Sequence, residues 1–312
     1  MKTATLDNSR IIKHLGQTSE YKDQYDPGLL VNEPRSNNRQ HLDIKDDALP
    51  FVGFDTWNAY EVSALTNNGL PVAGVAKVVY PCDSKYIVES KSIKLYFNSF
   101  NMYRCGEQPV DVLDYIDERA SEDLSALLKT TVHVHTHPAD FIASGQSVLD
   151  RFKYRTLECM FTQEELCKMK LDTYSETPEL LELEDISKDP VESTEVRWHS
   201  SLLKSNCRVT SQPDWGDVYV MYKGQTHVTT DSLLKYFVSF RDECHFHEEI
   251  CETIYKRLHD TLCPEELVVT CLYARRGGID INPVRASNNA LIARECQDLI
   301  DPFVMHTKTA KQ

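Results

Sequence analysis

The sequence predicts an α+β protein of two similar halves, each running β-β-α-α-β-β, with an antiparallel sheet carrying its helices on one face. Three observations predict it. The first is repetition: SIKLYFNSF at 92–100 recurs as SLLKYFVSF at 232–240, and PVAGVAKVVY (71–80) aligns with PDWGDVYVMY (213–222). Ser92, Tyr96, Phe97, Ser99 and Phe100 match Ser232, Tyr236, Phe237, Ser239 and Phe240 without a gap, the mark of a drifted duplication. The second is a set of Val- and Tyr-rich runs before each copy, broken by Gly, Pro and Asn, which read as strands. The third is a second amphipathic segment after each copy, followed by a return to β-type sequence.

In the first half the strand runs are WNAYEVSALT, VAGVAKVVY and KYIVES. The helix of the repeated motif follows, then VDVLDYIDERASEDLSALL as a second helix and TTVHVHTH as a returning strand. The second half offers WHSSLLKSNCRVT, DVYVMYKG and THVTT, then its copy of the motif, the helix HFHEEICETIYKRLHDTL and the strand ELVVTCLYAR. We divide the chain into a leader (1–50), a first module (51–150), a connecting segment (151–196) and a second, catalytic module (197–312). The acidic, two-proline stretch ETPELLELEDISKDPVESTEV (176–196) reads as the linker.

The apolar content of 41% and charged content of 26% are those of a soluble globular protein. No run approaches the roughly 18 apolar residues of a membrane span, and MKTATLDNSRIIKHLG lacks the apolar core of a secretory signal. The expected location is the cytoplasm, where the ten cysteines stay reduced. No CxxC pair occurs among them, which removes zinc ribbons and thioredoxin-type redox pairs. A net charge of −14 opposes nucleic acid and favours a small-molecule partner.

The chemistry-bearing residues concentrate in the second half. In SNCRVTSQPDWGD (205–217), Cys207 ends a strand-like run and Asp214 follows a turn. They read either as a half-buried cysteine and a turn-closing aspartate, or as a nucleophile and its proton donor brought together across the turn. The matching positions of the first half are Leu65 and Val72, so a site at the junction draws different residues from each half. CHFHEEIC (244–251) is a metal face or a helix N-terminus whose acidic residues suit the dipole, and the second fits better. The three histidines of HVHTH (133–137) share one strand face and are expected to be solvated or hydrogen-bonded. YARRGGIDINPVRA (273–286) places Arg275, Arg276 and Arg285 around a glycine pair that could grip phosphate or form a basic turn. No GxGxxG occurs, so a Rossmann dinucleotide site has no support.

Four blocks in order, ESKSIKLYFNSF (89–100), NCRVTSQPDWGD (206–217), FHEEIC (246–251) and ARRGGIDINP (274–283), resemble the NADPH-dependent nitrile reductases of queuosine biosynthesis, the 7-cyano-7-deazaguanine reductases. LGQTSEYKDQYDPGLLVNEPR (15–35) resembles the leader of that family's two-module branch. The resemblance implies a tunnelling fold, in which such units assemble into a barrel with ligands at their interfaces, and a cytoplasmic homodimer. It also implies reduction of the nitrile of 7-cyano-7-deazaguanine to the aminomethyl group with two NADPH, through a covalent cysteine thioimide.

The same resemblance assigns roles. Cys207 is the nucleophile, Asp214 the proton donor, with a carboxyl pKa raised by enclosure, and His247 a proton source in later steps. Ile87, Val88, Glu89, His247 and Glu248 bind the substrate, and Ser90, Lys91, Arg276 and Gly277 contact NADPH. No metal is implied. An amidine-forming relative needing no NADPH, a zinc-dependent pterin or GTP enzyme of the same fold, and a purine-binding module without catalysis are the alternatives.

Overall fold

The longest strands set the frame. In this computed structural model, which describes residues 24–139, 154–184 and 193–312, β1 (Asn32–Pro34) and α1 (Ser36–Arg39) precede the hairpin of β2 (Val52–Leu65) and β3 (Pro71–Pro81). Then come β4 (Tyr86–Val88), α2 (Ser90–Asn98), α3 (Pro109–Leu128) and β5 (His133–Pro138). Two short elements, β6 (Arg155–Thr156) and α4 (Gln163–Lys168), lead to the second half. That half runs β7 (Thr194–Ser200), β8 (Lys204–Cys207), β9 (Pro213–Gly224), α5 (Thr230–Ser239), β10 (Cys244–His245), α6 (His247–Leu262), β11 (Glu266–Tyr273) and β12 (Ile279–Ala286). Two short helices, α7 (Asn289–Glu295) and α8 (Gln297–Ile300), close the chain.

One sheet spans both halves in the order β10-β8-β9-β11-β12-β2-β3-β5, with β7 also on β9 and β6 on β7. Every pairing is antiparallel except β10 with β8 and β6 with β7. The seam between halves is β12 on β2, in register from Ile279↔Ala59 to Ala286↔Val52. Gly53 stands there because a Cβ would meet Val284 O at 2.0 Å, a backbone approach no side chain permits. A register shift between Ala59 and Val62 then bulges β2, turning Tyr60 toward Asp280 (2.5 Å) and beneath the guanidinium of Arg275.

The helices start where the sequence caps them. Glu89 accepts from Ser92 N (2.8 Å) to open α2, and Thr229 accepts from Ser232 N (3.2 Å) at the matching point of α5. The Glu249 carboxylate accepts from Phe246 N (3.0 Å) to open α6. Alternate residues of the strands then bury against these helices. Trp57, Ala76, Val78 and Tyr80 pack under α2 and α3, while Val218, Val220, Val269 and Cys271 pack under α5 and α6. The repeated aromatics occupy equivalent core places: Tyr96, Phe97 and Phe100 in one half, Tyr236, Phe237 and Phe240 in the other.

Several sequence expectations change. WHSSLLKSNCRVT is two strands rather than one, interrupted at Ser201–Leu203 where Gly216 N bonds Leu203 O. THVTT contributes only an isolated bridge from Val228 to Leu183, and KYIVES pairs with the leader strand β1 in a separate two-stranded sheet. The helices are not confined to one face, since α7 and α8 cover Met221, Val268, Leu272 and Val284 on the other. The second half shows the expected element order; residues 140–153 lie outside the described residues, as do part of the leader motif at 15–23 and the acidic run at 185–192. Before that run Glu176 is tied down, accepting from Tyr236 Oη (3.0 Å) and Arg257 Nε (3.1 Å).

Beneath the seam lies a buried ion cluster. Arg39 reaches both oxygens of Glu252 (3.0 and 2.8 Å) and Cys82 O (2.7 Å), and Arg285 bonds Glu252 (2.9 Å) and Asp55 (2.8 Å). Arg35 closes the set on Asp55 and on Ser84 Oγ (3.1 Å). The five charged side chains come from the leader helix and the residue before it, β2, α6 and β12, so this cluster joins the leader to both halves. Neutralising one member leaves others buried without a counter-charge, and the Glu252→Gln variant is expected to lose about 3–5 kcal/mol of stability. Urea unfolding followed by far-ultraviolet circular dichroism measures it; an unchanged midpoint would mean the cluster is not a structural tie.

Candidate active site

The hairpin of β8 and β9 brings the thiol and the acid together. Ser205 lies opposite Asp214 in the ladder, and Cys207 is two residues beyond Ser205, hence on the same face and diagonal to Asp214. The turn is closed by Cys207 N to Gln212 O and Ser211 N to Cys207 O, both 2.8 Å, with Ser211 in the left-handed region at φ 53°. On the other side of β8, β10 pairs His245 with Cys207. The nucleophile candidate is thus fixed by backbone on both flanks.

Across the seam, the first turn of α2 delivers Lys91, whose Nζ is 3.3 Å from Cys207 Sγ. Asp214 is paired with Arg276, which issues from the turn after β11, and lies 3.4 Å from His247 Nε2 at the start of α6. That last separation suits charge pairing but is not aligned as a hydrogen bond. These groups open on one cavity of about 210 Å³ lined also by Ser90, Glu248, Gly277 and Trp57. Gly277 and Gly278 both take positive φ, at 57° and 79°, which lets the chain turn tightly at the cavity edge.

The electrostatics are specific. Burial pushes the Cys207 thiol up, but the polar groups of the adjoining turn at Thr210 and the Lys91 charge outweigh it, leaving the thiol below its ordinary pKa. Burial likewise pushes Asp214 up, and His247 and Arg276 more than reverse that, so its carboxyl sits below the usual range. The enclosed site therefore does not raise the pKa of Asp214, contrary to the sequence expectation, because enclosure arrives with His247 and the Arg276 guanidinium as partners. Glu248 has no such partner: burial first, and the Asp55 charge next, push it up to about 8. Its Oε1 and the indole Nε1 of Trp57 are buried with no hydrogen-bond partner, an acceptor and a donor on the cavity wall.

Of the residues singled out from sequence, Cys207, Asp214, His247, Glu248, Ser90, Lys91, Arg276 and Gly277 converge on this cavity. Ile87, Val88 and Glu89 stand behind its wall. The two aliphatic side chains are in the core and their backbone pairs with β1, while Glu89 caps α2 and lies 3.6 Å from Lys91 Nζ. Arg285 does not face phosphate, being fully buried in the ion cluster, and Arg275 stacks on Tyr60. Cys251 is buried and Cys244 exposed, so CHFHEEIC is no metal face. His135 bonds Asp117 (3.1 Å) and His137 bonds Pro302 O (3.1 Å). Among the described residues no group of three or more His, Cys, Asp and Glu side chains has metal-holding geometry.

Trp57, Lys94, His245, Phe246 and Ile279 also line the cavity and were not picked out from sequence, because strand and helix patterns explain each without a ligand. His245 is the most informative of them. Burial lowers its pKa, but Glu243 (3.1 Å) and Glu249 (3.3 Å) overcome that and raise it to about 9, a positive charge on the strand paired with that of Cys207.

The family model described as nitrile reductase, 7-cyano-7-deazaguanine-reductase N-terminal region matches residues 21–136, and a QueF-like protein model matches 213–291. A protein of Legionella pneumophila (strain Lens), named NADPH-dependent 7-cyano-7-deazaguanine reductase, is 39% identical over 277 residues, covering 88% of this chain and 89% of its own. The chain belongs to the NADPH-dependent 7-cyano-7-deazaguanine reductase family. Rickettsia canadensis (strain McKiel) supplies another relative of that name, 38% identical over 278 residues, 87% of this chain and 92% of the other. An archaeosine synthase QueF-Like structure in the apo form shares 19% identity over 32% of this chain and 94% of its own, at a TM-score of 0.26. The two matched regions of this reductase-family chain hold the two sides of the cavity, Lys91 on one and Asp214, His247 and Arg276 on the other.

Two measurements check these charges. Replacing Lys91 by Met removes the ammonium beside Cys207 and is expected to slow iodoacetamide alkylation of that thiol at neutral pH by roughly fivefold; an unchanged pH–rate profile would remove Lys91 from the thiol's environment. For His245 the folded-state pKa is raised, so its contribution to stability is full below about 6.5 and is lost as pH rises through about 9. The stability gap between wild type and His245→Gln, read from thermal melts, should therefore shrink over that window.

Proposed function

We propose that this protein reduces the nitrile of 7-cyano-7-deazaguanine to 7-aminomethyl-7-deazaguanine through a covalent thioimide on Cys207, as a cytoplasmic enzyme of queuosine biosynthesis. The observation that carries the reading is the Cys207 thiol, 3.3 Å from an ammonium and diagonal to a buried acid, on a cavity with an unpartnered carboxyl oxygen. A nitrile carbon is electrophilic but accepts hydride poorly, and addition of the Cys207 sulfur splits that difficult step into easier ones. The sulfur–carbon bond forms as one carbon–nitrogen π bond breaks, and the nitrogen takes its proton through the Asp214–His247 pair. After reduction at carbon the carbon–sulfur bond breaks, the Cys207 thiolate leaves beside Lys91, and the resulting imine is reduced to the amine.

Recognition follows from the orphaned groups. The amino-pyrimidinone edge of the substrate offers N–H donors, which Glu248 Oε1 is free to accept, and Trp57 Nε1 can donate to an acceptor of the same ring system. Glu89 would act as the second carboxylate after a small shift, since one oxygen caps α2. Lys91, Lys94 and Arg276 place three cations around the cavity, with the Gly277 backbone beside them, a donor set that fits the phosphates of NADPH. When bound, NADPH supplies one hydride to each of the two reductions. We read the active assembly as a homodimer that does not bind nucleic acid, in keeping with a net charge of −14.

Intact-mass analysis after incubation with 7-cyano-7-deazaguanine alone tests the mechanism. Wild type should gain the mass of one substrate per chain and Cys207→Ala should not, and NADPH should then clear the adduct and release amine. Binding without an adduct would return Cys207 to an ordinary strand cysteine. An adduct that NADPH leaves intact and ammonia discharges would instead indicate amidine formation.

A further inference from the structure

Asp214 and both of its partners hang from one rung of the sheet. Gly216 of β9 pairs with Tyr273 of β11 at the end of their ladder. Asp214 lies two residues before Gly216, Arg276 three residues after Tyr273, and the His247 ring rests 3.9 Å from that of Tyr273. The rung is tightly packed, since a Cβ at residue 216 would stand 3.2 Å from the Tyr273 ring and 3.5 Å from Leu203. Residues 307–312 grip this rung from outside both strands. Lys311 Nζ donates to Gly216 O (2.9 Å) and to Ser201 O in the interruption between β7 and β8, and lies 3.6 Å from Asp217 Oδ1. Gln312 Nε2 donates to Asn282 Oδ1 (2.6 Å) and, at 3.5 Å, to Tyr273 O. Lys308 on Asp280 Oδ2 and Thr309 on Asp217 Oδ2, both 3.1 Å, secure the segment to β12 and β9. A break in a ladder leaves carbonyls short of amide donors, and an ammonium with three donors serves more than one of them. None of these six residues lines the active cavity.

Resting on the reading above, we propose that Lys311 is a positioning residue for the proton donor. Through Gly216 O, and with Gln312 on Tyr273 O, it fixes the end of the β9–β11 ladder. That sets Asp214 against His247 and against the place of the substrate nitrogen. Lys311 itself touches neither the thiol nor the cavity. Without it, residues 214–216 are free to shift against 273–276, and proton transfer is steep in such displacements. The thiol is spared, because Cys207 is held by its own turn to Ser211 and Gln212 and by β10.

Adduct formation with saturating 7-cyano-7-deazaguanine and no NADPH, followed by intact mass well below the melting midpoint, gives a rate and an amplitude. The amplitude counts folded sites, and the rate reports their geometry. Lys311→Met should reach the wild-type amplitude at a rate lower by roughly tenfold. Lys311→Arg keeps a cationic donor near both carbonyls and should recover most of that rate. Iodoacetamide alkylation of Cys207, read on its peptide, should match wild type in both variants. A lowered amplitude at the wild-type rate would mean that Lys311 only stabilises the fold, and overturns the positioning role. So does a wild-type rate at full amplitude in Lys311→Met, or an alkylation rate that falls in step with adduct formation. Absence of any adduct in wild type overturns instead the catalytic reading on which the inference rests.

Discussion

The buried ion cluster at the seam is the constraint on which the rest of the molecule depends. Asp55 and Glu252 hold Arg35, Arg39 and Arg285 in a region with almost no solvent, and these groups come from the leader, β2, α6 and β12. Charges taken out of water tolerate little displacement, since each ångström of separation is costly at low dielectric. The cluster therefore sets how the second half sits against the first. One turn before Glu252 on the same helix is Glu248, and at the helix start is His247, so the register of the ion pairs is passed directly to the cavity wall. The Asp55 charge also reaches Glu248 and helps to keep its carboxyl protonated.

Within the cavity, two anion-forming groups each meet a cation from elsewhere in the fold. Cys207 on β8 meets Lys91 on α2, and Asp214 on β9 meets Arg276 beyond β11. Neither cation is buried as deeply as its partner, so both pairs are solvent-facing on one side and fixed on the other. This arrangement holds both the thiol and the acid toward their ionised forms. Hydrophobic packing, strand register and helix caps serve mainly to bring these four side chains within reach.

Much of this was legible in the residues. The duplicated SxxxYFxSF motif identified α2 and α5, because five matched side chains at helical spacing leave little freedom of register. The thiol and acid were readable from the turn between them, and the seam location followed from their absence at Leu65 and Val72. The pKa direction of Asp214 was not readable, since it depends on Arg276 and His247 arriving from elements distant in sequence. Arg285 looked like a phosphate ligand because a basic turn and a buried ion pair share the same composition. Trp57 and His245 were silent for a similar reason: an aromatic in a strand and a histidine before a helix each have an ordinary structural place. The far-face helices escaped notice because NALIARECQDLI is too short for a periodic signal.

The hairpin tip carries a last consequence. Where the second half has Cys207 and Asp214, the first has Leu65 and Val72, both buried apolar residues, Val72 within the core under α2 and α3. At this place in the scaffold the second copy thus carries a thiol and an acid on the cavity wall, and the first copy carries neither. A substitution at Leu65 or Val72 is therefore judged by packing alone, whereas one at Cys207 or Asp214 also alters the charge balance of the cavity.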